Sequence, residues 1–213
     1  QVQQASSRGG DACAVGVIAA AGTAWGNGTF SVTNLTIQIG DGAIVDGGQA
    51  DCRAAASAAV IGVSFSDMSV INATITSSSA SSSSSSSIAL SPRVAATGST
   101  IVAAMGIGCL GPNQDTDLTV RAVLLSAAQG AMASASAPAA TVLVAAALGI
   151  AMRFTDGNTN QRMTLSDSQM VASGTNTTIV ALAKDAASAA GAVLYSYNHG
   201  YPFTNITNSA FIV

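Results

Sequence analysis

The chain has 213 residues and few charges: charged residues make up 8% of it, hydrophobic residues 49%, and the formal net charge is −3. Its seven Lys and Arg residues are scattered and cannot form the basic patch that neutralises phosphates, so nucleic acid is excluded as a partner. A monomer with so few charges is poorly protected against self-association. The composition, with a mean hydropathy of +0.47, predicts that neighbouring subunits, sugar or both cover the apolar surface.

Several features are typical of an extracellular or cell-surface protein. The chain starts at Gln1 without a charged, apolar leader, as expected after removal of a targeting segment. Cys13 and Cys52 flank the first predicted strands, and we expect them to form a disulfide; three buried, reduced thiols, including Cys109, are the alternative. The longest uncharged apolar run, residues 138–154, is shorter than the roughly 20 residues of a membrane-spanning helix, so no membrane span is expected.

Alternating apolar and polar residues predict short β-strands along the whole chain. The alternation is clearest in residues 29–39 and recurs in residues 68–76. Residues 138–154 are predicted to form a central buried strand bent at Gly149, because β-branched residues and this glycine weaken a helix. The other predicted strands are residues 13–21, 52–65, 99–110, 117–127, 163–171, 177–183, 191–197 and 209–213.

Clusters of Gly, Pro, Asn and Ser separate these strands at the spacing of a sandwich or jelly roll. We therefore predict an all-β fold, an antiparallel β-sandwich or jelly roll, formed by residues 13–213 as one domain. Residues 1–12 are expected to be a flexible arm, and the serine tract at 77–87 a flexible surface loop. No internal repeat of fixed period is evident.

Five Asn-X-Thr sequons predict covalent N-glycans. They lie at Asn27, Asn34, Asn72, Asn176 and Asn205; none has Pro in the middle, and all use Thr although Ser is the commoner residue here. Strand periodicity places Asn34 and Asn72 on polar faces, where a glycan has room. Ordinary surface asparagines are the alternative, because a chain so rich in Ser and Thr contains some sequons by chance.

Large side chains near the end of the chain predict an interface. Tyr195, Tyr197, His199, Tyr201 and Phe203 follow at every second position and would share one face of an extended segment. Such a stripe can bind sugar or another subunit, because tyrosine combines a large contact area with a polar tip; an aromatic core edge is the alternative. Together with the apolar C-terminus, the predicted interface consists of Tyr195, Tyr197, Tyr201, Phe203, Phe211, Ile212 and Val213.

No pattern in the sequence predicts catalysis or a cofactor. His199 is the single histidine, no Gly-X-Ser-X-Gly motif is present, and no Cys and His residues have zinc spacing. The neighbouring carboxylates Asp115 and Asp117 are interpreted as a solvated turn rather than a glycosidase pair. We therefore expect that the protein is not an enzyme.

One segment has some features of a calcium loop. Asp156, Asn158, Asn160 and Asp167 offer oxygen ligands, but Gln161 stands where such a loop requires Gly, and the flanking residues favour strands over helices. A polar hairpin turn after residue 154 explains the same residues. We expect no metal site.

In its low charge, apolar content, strand alternation, sequons and extracellular character, the chain resembles the β-sandwich subunits of donor-strand pili, particularly those of archaeal type, in which Asn-linked glycans are common. The resemblance implies a structural subunit that assembles with identical subunits into a filament, by strand exchange or by β-surface contacts. Residues 209–213 and an N-terminal segment hinged at Gly9-Gly10 are the candidate donors. The alternatives are a viral or particle-forming jelly-roll shell protein and a secreted carbohydrate-binding module or hydrolase.

Overall fold

The computed structural model describes residues 4–7, 11–20, 28–40, 42–48, 53–77, 91–111, 115–128, 130–136, 143–154, 160–196 and 201–213. Within these ranges the chain forms 23 strands in four sheets, and every strand pairing is parallel. The chain passes through the four sheets in the same order five times, so five coils stack into a parallel β-solenoid. None of these residues forms a helix that is long and apolar enough to cross a membrane.

The strands are numbered in chain order. Coil 1 contains β1 Gln4–Ser7, β2 Asp11–Ala20, β3 Thr29–Thr33 and β4 Thr36–Ile39. Coil 2 contains β5 Ile44–Gly48, β6 Ala54–Val63, β7 Asp67–Ile71 and β8 Thr74–Ser77. Coil 3 contains β9 Arg93–Thr97, β10 Ile101–Ala104, β11 Ile107–Leu110, β12 Thr116–Arg121 and β13 Leu124–Ala127. Coil 4 contains β14 Met132–Ser136, β15 Val144–Ala147, β16 Ile150–Phe154, β17 Asn160–Ser166 and β18 Gln169–Ala172. Coil 5 contains β19 Thr178–Ala181, β20 Ala186–Ala189, β21 Ala192–Ser196, β22 Tyr201–Thr207 and β23 Ala210–Ile212.

Each sheet collects the equivalent strands of successive coils. Sheet A contains β1, β5, β9, β14 and β19, in that order. Sheet B contains β2 and β6 as long strands, followed by the pairs β10 and β11, β15 and β16, and β20 and β21. Sheet C contains β3, β7, β12, β17 and β22, and sheet D contains β4, β8, β13, β18 and β23. Equivalent residues of neighbouring coils therefore lie in columns along the stack.

The predicted antiparallel β-sandwich or jelly roll is wrong, although the all-β class is right. Alternation with a period of two shows that one face of a strand is buried, but it is the same for parallel and antiparallel neighbours. The repeat that would have indicated a solenoid was missed because its length varies: equivalent residues such as Asn34, Asn72, Ala122, Asp167 and Asn208 lie 38 to 50 positions apart. A search for one fixed period does not detect such a series.

Other predicted segments are placed as follows. Residues 4–7 of the predicted arm form β1, which pairs with β5, and residues 11 and 12 begin β2. Of the serine tract, Ser77 ends β8, and residues 78–87 lie outside the described residues. Residues 143–154 form two strands, β15 and β16, with the break at Leu148 and Gly149, where the sequence predicts a bend. The hairpin predicted after residue 154 is wrong, because β16 and β17 belong to different sheets.

The interior of the coils is filled by columns of apolar side chains. In sheet C, Val70, Val120 and Leu165 follow one another in register and are fully buried. Cys109 lies in the same interior, where burial raises the pKa of its thiol to about 12. Fully burying one such aliphatic side chain stabilises a fold by roughly 1.5–3 kcal/mol, so the columns bind each coil to the next.

An asparagine corner, defined as Asn34, Asn72, Ala122, Asp167 and Asn208, joins sheet C to sheet D once in every coil. All five residues have left-handed backbone conformations, with φ between 46° and 56°. Asn and Asp tolerate this conformation better than other residues with side chains. The corner is also linked between coils: the Asn72 Nδ2 donates to the Asn34 Oδ1 over 3.3 Å, and the Asn208 Nδ2 donates to the Asp167 Oδ1 over the same distance.

A buried bend, defined as Ala58, Met105, Leu148 and Ala190, divides the strands of sheet B into two halves. These residues also have positive φ, between 51° and 54°, but they are apolar and buried. The two halves of the sheet fold towards each other on the outer side, where alternate residues of both halves pack into a second apolar cluster. Every residue of β6 is therefore buried, because one face of this strand meets the interior and the other meets the second cluster.

Two glycines that follow the buried bend, Gly106 and Gly149, lie where there is no room for a side chain. A Cβ atom added to Gly106 would lie 2.8 Å from the Gly149 carbonyl oxygen, and one added to Gly149 would lie 2.8 Å from the Gly191 carbonyl oxygen. These contacts are too short for real Cβ atoms. The glycines therefore permit the close approach of successive coils at this column.

Candidate interaction surfaces

The described residues contain no group of three His, Cys, Asp or Glu residues that could hold a metal ion. Asp115 and Asp117 have separate partners: Asp115 accepts a 2.7 Å hydrogen bond from the Asn160 backbone N–H, and Asp117 lies 3.8 Å from Arg162. Asn160 and Asp167 stand at opposite ends of β17, roughly 20 Å apart, too far to share a cation. Asp156 and Asn158 lie outside the described residues.

Arg153 and Asp185 form the one ion pair in the described part of the chain whose two side chains are both largely buried. The Arg153 Nε donates to the Asp185 Oδ2 over 2.6 Å. Arg153 lies in register with Leu110 and Tyr195, which belong to the second apolar cluster or pack against it. Because the two opposite charges satisfy each other at the edge of this cluster, we assign the pair a structural role.

Four of the five predicted glycosylation sites fall within the described residues, and all four asparagines are exposed. Asn34 and Asn72 lie in the asparagine corner, Asn176 lies in the connection between β18 and β19, and Asn205 lies in β22. Asn27 lies outside the described residues. At Asn34 and Asn72 the positive φ alone accounts for asparagine, so glycosylation there remains a prediction.

The predicted disulfide also remains a prediction. The backbone of Cys13 lies in β2 and pairs in register with Ala56. Its side chain and the whole of Cys52 fall outside the described residues. Cys109 is buried in the interior as a free thiol.

The two described rings of the predicted aromatic stripe, Tyr195 and Phe203, do not share one face. Tyr195 lies in β21 of sheet B, half-buried against the second apolar cluster. Phe203 lies in β22 of sheet C, with 57% of its surface exposed. Tyr201 opens β22, but its side chain, like all of Tyr197 and His199, lies outside the described residues. The two described rings therefore belong to different sheets.

The outer face of sheet C carries a column of uncharged polar side chains, one from each coil. The column consists of Ser31, Ser69, Thr119, Thr164 and Asn205. The Ser69 Oγ donates to the Ser31 Oγ over 2.9 Å, so hydroxyls of neighbouring coils bond along the column. The column itself is polar and does not add to the apolar surface.

Charged side chains stand beside this polar column. The Arg162 Nη1 lies 3.8 Å from the Asp117 Oδ2. The Arg162 Cζ lies 6.0 Å from the centre of the Phe203 ring. The Arg121 Nε lies 3.8 Å from the Oδ2 of Asp167, a residue of the asparagine corner. Exposed ion pairs at these distances contribute roughly 0–1 kcal/mol each. Both arginines on this face are therefore paired with aspartates.

Coil 5 exposes side chains that the other coils bury. Ile206 has 44% of its surface exposed, whereas Leu165, its neighbour in the same column of sheet C, is fully buried. Phe211 is 42% exposed, whereas Met170, its neighbour in sheet D, is fully buried. Both side chains occupy core columns at the end of the described stack. Coil 5 is therefore the main apolar surface of the described residues.

The interface predicted from the sequence includes the exposed Phe211, Ile212 and Val213 but not Ile206. The missed signal is a hexapeptide with apolar residues at both ends and Asn at its third position. It reads Val-Thr-Asn-Leu-Thr-Ile at residues 32–37, Val-Ile-Asn-Ala-Thr-Ile at 70–75 and Ile-Thr-Asn-Ser-Ala-Phe at 206–211. The repeat marks the corner in coils 1, 2 and 5, and its first residue points into the core.

No known protein family, curated protein or solved structure matches this chain. The interpretation of its surfaces therefore depends on their geometry alone.

Proposed function

We propose that the chain is a structural subunit of an extracellular, glycosylated filament, and that it assembles by β-surface contacts between the ends of its coil stacks. The observation that carries the proposal is the exposure of Ile206 and Phe211, which occupy core columns in coil 5. Exposed apolar patches on soluble proteins are often interaction sites. The low content of charged residues, 8%, leaves little electrostatic repulsion to oppose such contacts.

The strand edges of coil 5 support the same proposal. β19, β20, β21, β22 and β23 are the outermost strands of their sheets in the described residues. An exposed strand edge presents unpaired backbone N–H and C=O groups and readily pairs with another chain. A contact that joins two different surfaces of the same subunit, without closing into a ring, generates a filament.

Contacts between strand edges are favoured over donor-strand exchange. β1 and β2, the candidate N-terminal donors, pair with β5 and β6 of the same chain. β23, at the other end, pairs with β18. Exchange would require one of these segments to leave its own sheet, whereas edge contacts leave the coils intact.

The two alternative functions have less support. A jelly-roll shell depends on the sandwich fold, which the parallel sheets overturn. A carbohydrate-binding module depends on an aromatic platform, and the two described rings of that stripe, Tyr195 and Phe203, lie on different sheets. For a hydrolase, no arrangement of the described residues points to a catalytic group.

Charge substitutions at coil 5 test the assembly. In the purified full chain, Ile206→Lys should lower the amount of polymer at least tenfold, because a charge would enter the apolar contact. Thr207→Lys is the matched control, since Thr207 is exposed and points away from the core in the next position of β22. Sedimentation velocity and negative-stain microscopy measure the polymer. Dispersed wild-type monomers at all concentrations, or equal effects of the two substitutions, would contradict the proposal.

The glycan part of the proposal has its own test. The unmodified chain has a mass of 20.8 kDa. Intact-mass analysis of material from the native source should give a higher mass that decreases on enzymatic deglycosylation, because the sequon asparagines carry sugar. A mass equal to that of the bare chain would exclude the glycans without affecting the assembly.

A further inference from the structure

We infer that the filament contact joins coil 5 of one copy to coil 1 of the next, head to tail, with the asparagine corners of the two copies in register. This inference rests on the proposed function and specifies the partner surface. Coil 5 presents edges of all four sheets at once, so the partner surface must be able to pair with several edges. A single extended peptide can pair with one edge, whereas a coil of the same outline can pair with all four.

Coil 1 of a second copy is such a coil. Its strands β1, β2, β3 and β4 belong to the same four sheets and are outermost at the opposite end of the stack. All pairings within the chain are parallel, and head-to-tail stacking places incoming strands in the same direction. A tail-to-tail contact between two copies of coil 5 would make the pairings between the copies antiparallel, unlike every pairing within the chain.

Residues of coil 5 and coil 1 that belong to the same column have similar conformation or polarity. Asn208 would lie beside Asn34 of the next copy, and both have the left-handed corner conformation, with φ of 46° and 56°. Their amides could then bond as those of Asn72 and Asn34 do within the chain, at 3.3 Å. In the neighbouring core columns, Ile206 would lie beside Val32.

The two sides of this contact contribute unequally. Phe211 would meet Ile37 of the next copy, but Ile37 is already only 6% exposed and Val32 only 9%. The apolar surface removed from water therefore comes mainly from coil 5. Because each added copy leaves its own coil 5 open, the contact repeats without closing.

Cysteine crosslinking tests the register. In a Cys13→Ser, Cys52→Ser background, the double variant Asn34→Cys, Asn208→Cys places one thiol at each end of the stack. Paired parallel strands are about 4.8 Å apart, within the Cα separation of about 4.4–6.8 Å that a disulfide spans. Mild oxidation should therefore give a ladder of dimers, trimers and longer species on a non-reducing gel.

A second pair guards against a corner variant that does not fold. Thr33→Cys with Thr207→Cys uses exposed positions of one outer column of sheet C, next to the corner, and should give the same ladder. The mismatched control is Thr29→Cys with Asn208→Cys, because Thr29 lies five positions before the corner. This control should give at least tenfold less crosslinked product. Each single variant should give little dimer and no longer species.

The results separate the inference from the proposed function. Ladders from the in-register pairs alone would support both. Polymers that form normally but crosslink no better in register than in the mismatched control would overturn the head-to-tail register and leave the filament in place. Efficient dimers from Asn208→Cys alone would also overturn it, because they indicate a tail-to-tail contact. Monomers throughout would overturn the inference together with the proposed function.

Discussion

The buried bend and the asparagine corner have the same left-handed backbone conformation, but they lie in opposite environments. Met105 and Leu148 of the buried bend are fully enclosed between the coils. Asn34 and Asn72 of the asparagine corner are exposed, and their amides bond to each other. One bend is formed by apolar residues with an intrinsic preference against its conformation, and the other mostly by residues that tolerate it.

The difference shows two ways of stabilising one strained conformation. A left-handed residue with an ordinary side chain costs roughly 1–2 kcal/mol. At the buried bend, burial of Leu148 contributes about 1.5–3 kcal/mol, enough to offset that cost. At the exposed corner no such burial is available, so residue type and hydrogen bonds must supply the stabilisation. The buried bend therefore does not need Asn, because burial stabilises it. The exposed corner lacks this burial and therefore favours Asn.

The largest effect should come from truncating an apolar side chain at the buried bend. Leu148→Ala should lower the free energy of unfolding by about 3 kcal/mol, because it removes a fully buried side chain and leaves a cavity. The matched change at the exposed corner, Asn72→Ala, should cost only about 1 kcal/mol. Urea unfolding measures both. Equal losses would show that burial does not distinguish the two bends.

A smaller loss should follow from adding one methyl group beside the buried bend. Gly149→Ala should destabilise by roughly 2 kcal/mol, because its Cβ would lie 2.8 Å from the Gly191 carbonyl oxygen. Gly191→Ala is the control in the same column, since its Cβ would meet nothing closer than 3.6 Å. The control should change stability by at most about 0.5 kcal/mol in urea unfolding. If both substitutions are tolerated, the close approach at this column is wrong.

The exposed corner offers a stabilising substitution. Ala122 has φ of 53° without an Asn side chain and without burial to compensate. Ala122→Gly should therefore raise the free energy of unfolding by about 0.5–1 kcal/mol, because glycine adopts positive φ freely. The same change at Ala58 of the buried bend removes a fully buried methyl group and should give no gain. A thermal melt that shows Ala122→Gly to be destabilising would contradict the strain argument.

At neutral pH the smallest effect is that of the buried Cys109 thiol, because its contribution appears only in alkaline solution. Burial raises the pKa of the Cys109 thiol from 9.0 to about 12. Between these values the unfolded chain loses the thiol proton while the folded chain keeps it, so stability decreases as the pH rises, by at most about 1.4 kcal/mol per pH unit. Cys109→Ala should lack this contribution. Parallel curves for the two proteins from pH 8 to 11 would show that the thiol is not buried.

The sequence predicted the exposed parts of the fold better than the buried ones. Alternation in residues 29–39 and 68–76 indicated strands where the structure has β3, β4, β7 and β8, because one face of these strands meets water. Residues 101–110 read as one apolar run, since β10 and β11 are buried on both faces and no periodicity is left to reveal the bend at Met105. Strand direction leaves no local signal, so the parallel sheets were missed.

The candidate site was only partly predictable for a similar reason. Phe211 and its two successors were noticed because three large apolar residues end the chain. Ile206 looks like any core residue in its hexapeptide, and only its place in the last coil exposes it. Exposure of this kind depends on which coils are stacked against each other, which no single segment encodes.

The direction of the hydrogen bonds between coils has a mechanical consequence. Parallel strands bond to their neighbours across the sheet, so in every sheet these bonds run along the stacking axis. Tension applied along that axis pulls each bond in the direction in which it stretches, and all four sheets must part at once to separate two whole coils. Tension on a free end of the chain peels a single strand at a time. Such a rod would resist being snapped between coils but would unravel from its ends, so an end covered by a neighbouring subunit would protect the whole stack.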